Sequence, residues 1–421
     1  MNRFLYYCGI SLYVLGIRLA AMLGHSKANK WWQGRLQWQT KLQEGLANNT
    51  APLIWMHCAS LGEFEQGRPI LEALRQQLPQ HKILLTFFSP SGYEVQKNCS
   101  MVDWVTYLPS DQYGHAQQFL DIIKPQQVFF VKYEFWYGYL TTLKKHQIPT
   151  YLIAANFRAN QVFFRWYGGF FRQLLFCFET IFVQTATSQQ LLAPLQHPHI
   201  VVAGDPRLDR VLNIKTQAKT FPKIAQFSNQ AATLVAGSTW PPDEALLQEW
   251  LLLHPQYQLI LVPHEVNQSH LQALKTRFNT IPTAFYSQLD GVDLSSIQVI
   301  IIDKIGLLSS IYNYGNAAYI GGGFGLGIHN CLEAVVYELP LFFGPNYQKF
   351  REAKALIAAN IATEIHLAAD LAKGLNNYQT KTARLNLQNK VKHYIHTQKG
   401  ATATILKHLN PSRIPSKTKH R

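Results

Sequence analysis

The segment AYIGGGFGLGIHNCLEAVVYELPLFFGP, Ala318–Pro345, reads as a strand, a glycine-rich loop, a helix and a second strand. The first apolar run ends in Gly321-Gly322-Gly323, Gly325 and Gly327 follow, and the spacing predicts a helix from about Asn330. Five glycines in seven residues remove side chains where the backbone must approach something closely. A helix start at that point offers free N–H groups to an anion such as a phosphate. Glu333 falls in the expected first turn, within reach of a ribose hydroxyl. The spacing is neither the GxGxxG dinucleotide fingerprint nor a P-loop, and a ligand-free tight turn is the alternative.

The same grammar extends outward in both directions. Short β-rich runs alternate with helical patterns at 53–58, 82–87, 105–108, 128–131, 150–154, 181–184 and 200–203. They resume at 233–237, 258–262, 283–286, 299–302, 317–320 and 341–343. Strands separated by helices imply right-handed βαβ units and parallel sheets. Two such sets predict an α/β protein of two Rossmann-like domains facing across a cleft, residues 36–212 and 213–410, between an N-terminal segment 1–35 and a basic tail 411–421.

Ligands in such folds sit at the carboxyl ends of the strands, which singles out a few loops. SLGEFE, Ser60–Glu65, follows the first strand. Its Ser60-x-x-Glu63 spacing is a capping box, yet Glu63 also stands where a proton acceptor would. VKYEFWYGYL, Val131–Leu140, holds Glu134 among aromatics and next to Lys132, either in an ion pair or as a carboxyl with a raised pKa. In the second half, AGSTWPPDE places Gly237 and Ser238 at a strand end, and VPHEVNQ places Pro263 and His264 at another. A surface loop is the plain alternative for the latter.

At 421 residues, with 47% hydrophobic residues and no internal repeat, the chain is globular and long enough for two cores. The formal charge of +15 implies an anionic partner. No zinc-finger spacing, RNA-recognition signature or basic heptad points to nucleic acid. Five widely spaced cysteines with no CxxC, and no HExxH, predict reduced thiols and no zinc site. FLYYCGISLYVLGIRLAAMLG, Phe4–Gly24, is apolar apart from Arg18. Lys27, Lys30, Arg35 and Lys41, interleaved with Trp31, Trp32 and Trp38, follow it as at a membrane interface. Membrane attachment is expected, as a single span or lying in the interface. A buried helix of the domain core is the alternative.

Six blocks carry a family resemblance in order: HCASLGEFEQGRPIL (57–71), SPSGYE (89–94), KYEFW (132–136), GDPRLDR (204–210), AGSTWPPDE (236–244) and YIGGGFGLGIHNCLEAVVYELPLFFGP (319–345). Together they resemble the 3-deoxy-D-manno-octulosonic acid (Kdo) transferases of lipopolysaccharide biosynthesis, from the N-terminal apolar segment to about residue 400. The resemblance implies a GT-B fold with an acceptor domain followed by a CMP-sugar-binding domain. It implies transfer of Kdo from CMP-Kdo, with inversion, to a lipid A precursor at the cytoplasmic face of the inner membrane, whose anionic surface suits a basic protein. The family's general base falls on Glu63 and the glutamate of its KxExW-type motif on Glu134. Its CMP-binding block falls on Gly322, Gly323, Asn330 and Glu333, with Gly237, Ser238, Pro263 and His264 lining the donor site. Many relatives carry an arginine after the strand-end proline, where this chain has Pro263-His264-Glu265. The donor phosphate therefore falls to His264, Lys349, Arg351 or helix N-termini. No DxD pair occurs in these loops, so no metal or other cofactor is expected. Another GT-B transferase using a UDP-sugar and a lipid acceptor, or a non-catalytic membrane-bound nucleotide binder, are the rival readings.

Overall fold

The computed structural model describes residues 3–409, and the tail 411–421 lies outside the described residues. The chain forms two compact units, one running to Asp209 and resuming at Lys399, the other spanning Arg210–Gln398. The sequence-based segment 213–410 differs at its end. Residues from Lys399 return to the first unit because Ile405 and Leu409 enter its core. There the Asp209 carboxylate accepts from the backbone N–H of Gly400 at 2.6 Å and of Thr402 at 2.7 Å, capping the helix Ala401–Lys407.

The first unit contains β1 (Leu53–Cys58), β2 (Lys82–Phe87), β3 (Trp104–Tyr107), β4 (Gln127–Val131), β5 (Thr150–Ala155), β6 (Thr180–Val183) and β7 (Ile200–Val202). All pair in parallel, in the order β3-β2-β1-β4-β5-β6-β7. Period-two alternation sends Trp55, Leu84 and Phe130 to one face and Ile54, Met56, Ile83, Leu85 and Phe129 to the other. Both faces are covered by helices, which explains why the strands read as continuous apolar runs rather than alternating ones.

The second unit contains β8 (Ala232–Thr239), β9 (Tyr257–Pro263), β10 (Thr283–Phe285), β11 (Val299–Ile301), β12 (Ala317–Ile320), β13 (Leu341–Phe343) and β14 (Ala362–Glu364). Its parallel sheet is ordered β10-β11-β9-β8-β12-β13-β14. Thirteen of the fourteen strands coincide with the runs read from sequence. The missing one, β14, is three residues of Ala-Thr-Glu with no apolar signal, held as a strand by its pairing to β13.

The helix Arg3–Met22 is the one described helix long and apolar enough to cross a membrane. It nevertheless packs on the first unit. The Tyr6 hydroxyl donates to Asp111 Oδ2 at 2.7 Å and accepts from Tyr137 N–H at 3.1 Å. Tyr13 stacks on Phe88. The expected belt of cations and tryptophans is split by burial: Lys27, Lys30 and Lys41 are exposed, but Trp31, Arg35 and Trp38 are core residues. The Arg35 guanidinium donates to the carbonyls of Leu108 (2.8 Å), Trp31 (3.1 Å) and Phe88 (2.7 Å) and lies over the Trp31 ring. These contacts tie the short helix Ser26–Gln33 to the loops after β2 and β3.

Asp111 is buried and also accepts from Gly138 N–H at 2.7 Å. Burial outweighs these hydrogen bonds and pushes its carboxyl up to about 6. A carboxyl of this kind ionises near 4 in the unfolded chain. Its contribution to stability is therefore full below about pH 4 and lost as pH rises to about 6. Denaturant unfolding of wild type and Asp111→Asn between pH 4 and 8 should show the wild-type-minus-variant difference falling across that window and level above it. A flat difference would contradict the assignment.

Candidate active site

In a parallel sheet, a crevice opens where the strand order reverses and neighbouring loops leave in opposite directions. In the first unit that point lies between β1 and β4, and it is where Glu63 and Glu134 stand. The helix Leu61–Gln77 follows β1 with Ser60 at its N-cap, but Ser60 does not cap a backbone N–H. Its hydroxyl instead makes a short hydrogen bond to Glu63 Oε2. The capping box read from SLGEFE is therefore not formed, because the serine oxygen is aimed at the carboxylate. Glu63 Oε1 faces the Lys132 ammonium at 3.4 Å. Lys132 follows β4 with a positive φ of 64°, a left-handed conformation unusual for a side chain of this size and a form of strain concentrated at functional sites.

Glu134 is held differently. Its Oε2 receives the Trp136 indole N–H at 2.7 Å and contacts His57 Nε2 at 3.1 Å. His57 is fully buried in β1, and its Nδ1 lies 2.9 Å from Thr86 Oγ1, which also accepts from Trp55 Nε1 at 2.8 Å. The partner of Glu134 is thus a histidine and an indole rather than a lysine. Both carboxylates bear on one point: burial pushes the Cys58 thiol well up, and the charges of Glu63 and Glu134 push it further. Cys58 is accordingly an inert thiol between two acidic groups. Tyr133, Glu134, Trp136, Gln161, Val162 and Phe171 line an aromatic-walled groove beside them.

The reversal in the second unit lies between β8 and β12, and there the glycine loop meets AGSTWPPDE. Ser238 adopts a φ of 55° at a register break between β8 and β9. A Cβ on Gly321 would lie 2.2 Å from Ser238 O, and one on Gly323 2.5 Å from Gly344 N. These two glycines are required by close backbone approach. The buried Asp243 joins the two loops, accepting from Tyr319 OH (2.6 Å), Trp240 N–H (2.9 Å) and Gly322 N–H (2.9 Å).

Asn330 and Glu333 come together as Asn330 Nδ2 donates to Glu333 Oε1 at 3.1 Å. The helix expected from Asn330 is only the single turn Leu332–Val335, starting after Cys331. So short a run sums few peptide dipoles, and its macrodipole is correspondingly weak. Gly237 lies in β8, and buried Pro263 closes β9. His264 stacks on His329 at 4.2 Å and on Trp240 at 4.8 Å, while Trp240 Nε1 donates to His329 Nε2 at 2.9 Å. Burial lowers the pKa of His264, and burial plus the neighbouring His264 lowers that of His329 to about 4. Both shifts disfavour the charged imidazole. His264 contributes a flat aromatic surface. Lys349 and Arg351 flank Phe350, whose ring packs on Gly327, in the segment whose Asn346 bonds to Gly323 and Gly325.

Sequence reading missed His57, Thr86, Asp243 and His329. His57 hides in an apolar run, and Asp243 reads as an ordinary first-turn acid. His329 lay inside the quoted glycine block without a partner to mark it. Among the described residues no three His, Cys, Asp or Glu side chains come together as a metal site.

Residues 30–210 match the model of the family described as 3-deoxy-D-manno-octulosonic-acid transferase (kdotransferase). The chain is similar to proteins named 3-deoxy-D-manno-octulosonic acid transferase from several bacteria. The one from Aquifex aeolicus is 27% identical over 316 residues, covering 73% of this chain and 80% of that protein. One from Chlamydia trachomatis is 25% identical, covering 80% and 82%. Among solved structures, the UDP complex of MnaA from S. aureus has a TM-score of 0.56 at 13% identity, covering 88% of this chain and 99% of that one. The UDP-GlcNAc 2-epimerase of Neisseria meningitidis bound to UDP-GlcNAc has a TM-score of 0.54 at 13% identity, covering 84% and 98%. The two parallel seven-stranded sheets are those of a GT-B-type α/β protein.

The glycine contacts make a paired prediction. Gly323→Ala must displace the Gly344 backbone and should destabilise the protein by about 1–3 kcal/mol. Gly325→Ala, whose nearest neighbour would be Gly322 O at 3.7 Å, should stay within about 0.5 kcal/mol. Denaturant melts of the two variants check this.

Proposed function

We propose that this protein transfers Kdo from CMP-Kdo to a hydroxyl of a lipid A precursor, inverting the anomeric centre, in lipopolysaccharide biosynthesis. The observation that carries the reading is Glu63. In a chain related to Kdo transferases, a carboxylate stands at the β1/β4 switch point, held by a serine hydroxyl and a lysine instead of being spent on a helix cap. Glu63 takes the proton of the attacking acceptor hydroxyl as the new glycosidic bond forms. The bond from the Kdo anomeric carbon to the CMP phosphate breaks, and its electron pair leaves with the phosphate. Glu134, oriented by His57 and Trp136, lines the acceptor side. In the second unit, Gly237, Ser238, Gly322 and Gly323 let the donor approach the backbone. The Trp240–His264–His329 stack supplies a face for the base, Glu333 takes a ribose hydroxyl, and Lys349 and Arg351 answer the phosphate charge. No metal and no further cofactor takes part.

Glu63→Gln tests the base. The amide keeps the size and the Ser60 contact but cannot take a proton at working pH. Turnover, followed by mass spectrometry of the lipid A precursor, should fall by roughly 10²–10⁴-fold, with stability and CMP-Kdo affinity retained. Near wild-type turnover would move the role to Glu134. Product with a UDP-sugar but none with CMP-Kdo would replace the donor.

Metal independence has its own check. With CMP-Kdo supplied directly, excess EDTA should leave the rate largely intact. A loss restored by a divalent ion would show that a metal shares the phosphate charge.

A further inference from the structure

The long apolar helix Arg3–Met22 has two faces with different fates. Apart from Tyr13, its exposed large apolar residues are Phe4, Leu5, Leu12, Leu15, Leu19 and Met22. At 100° per residue they fall within one arc of about 100°. Tyr6, Tyr13 and Ile17 lie on the opposite side. Tyr6 is buried against Asp111, Tyr137 and Phe170, Tyr13 meets Phe88 and Trp31, and Ile17 shares a small cavity with the same two rings. The helix is therefore fastened to the body of the first unit near its start and again about three turns later.

We propose that this helix lies in the plane of one leaflet of an anionic bilayer, its outer apolar arc sunk among the acyl chains, and does not cross the membrane. A span needs roughly 30 Å of helix surrounded by lipid. A 20-residue helix is about that long, so nothing would remain for the contacts at Tyr6, Tyr13 and Ile17. Crossing would drag Asp111 and the buried Arg35 cluster into hydrocarbon. Lying flat costs neither, and it matches an interfacial helix with one apolar face and a protein-backed other.

The charge around the helix selects the occupant. Arg3, Arg18, Lys27 and Lys30 are exposed along it, with the Arg18 guanidinium over the Trp32 ring, in a protein of formal charge +15. Exposed cations beside an apolar arc suit anionic headgroups over acyl chains and oppose a second copy carrying the same charges. A second insertion point adjoins it. Trp166 and Tyr167 are 90% and 57% exposed on the turn leading to Phe170, whose ring packs on Tyr6. The placement also sets the depth of the candidate active site. Tyr13 stacks on Phe88, Phe88 packs on Trp136 at 4.8 Å, and Trp136 donates to Glu134. The Glu134 loop is thus two ring contacts from the lipid-facing helix, whichever sugar is moved.

Depth-dependent fluorescence quenching on the full-length protein tests this. Cys8 and Cys99, the half-exposed thiols, are first replaced by serine. Single cysteines at Leu5, Leu12 and Leu19 are then labelled with an environment-sensitive dye and bound to sealed vesicles of phosphatidylglycerol and phosphatidylethanolamine carrying spin-labelled lipids. All three labels should report one shallow depth just below the headgroups, and a label at Lys27 should remain in water. The variant Leu12→Ser/Leu15→Ser/Leu19→Ser, altered only on the exposed arc, should keep its unfolding curve and lose at least about tenfold in vesicle partitioning. A label at Leu12 much deeper than at Leu5 and Leu19, with one end shielded from a membrane-impermeant reductant, would establish a span and overturn the proposal. Failure to bind anionic vesicles, or sedimentation as a dimer abolished by the triple variant, would overturn it equally.

Discussion

Parallel pairing of β1 with β4, and of β8 with β12, is the constraint on which both candidate sites depend. Strands 69 residues apart at their functional ends, Glu63 and Lys132, become neighbours only because two crossovers skip outward before the chain returns to pair with its first strand. All strands point one way, so every chemically interesting loop leaves from the same edge of its sheet. The reversal of order then parts the loops to leave space for a ligand. In the second unit the same step brings Ser238 against Gly321 at backbone distance, and no side chain fits between them.

The two crevices are held by different physics. Around Glu63 and Glu134 the scaffold is a run of donors, Ser60, Lys132, Trp136 and His57, all directed at carboxylate oxygens. Around the glycine loop the scaffold is one buried carboxylate, Asp243, collecting three donors from two segments. Burial raises the pKa of Asp243 despite those hydrogen bonds. Its cost in desolvation is offset by fixing Trp240 and Gly322 at once. The stacked histidines carry this logic further. Packed against each other and an indole, both rings are shifted toward the neutral form.

Much of this was legible in the sequence because it rests on local signals. Apolar runs between turn residues located thirteen strands, and the glycine density at 321–327 marked the point where backbones touch. What stayed hidden depends on pairing between distant segments. His57 in LIWMHC looks like any polar interruption of a strand until β4 delivers Glu134. Ser60 and Glu63 satisfy the capping-box spacing, and only the position of Lys132 explains why the hydroxyl turns to the carboxylate instead of the helix N–H. Trp31, Arg35 and Trp38 have the composition of a membrane interface, yet carbonyls from Leu108 and Phe88 draw the guanidinium inward. A helix one turn long, Leu332–Val335, reads like a longer one because LEAVVY continues the apolar pattern into the turn where the Tyr337 and Glu338 N–H groups bond three residues back.

The N-terminal helix is therefore a structural part of the first unit as well as an apolar surface. Tyr6 supplies one of the donors to buried Asp111, and its oxygen receives the first N–H of the helix Tyr137–Lys145, which begins one residue after Trp136. Removing residues 1–24 would leave that N–H and carboxylate short of a partner and would bare Tyr137, Phe170 and Phe88. Loss of activity after such a truncation would then report damage near Glu134 as readily as detachment from lipid. The two are separable only by changing the outer arc while leaving Tyr6 and Tyr13 in place, because the inner face supports the groove.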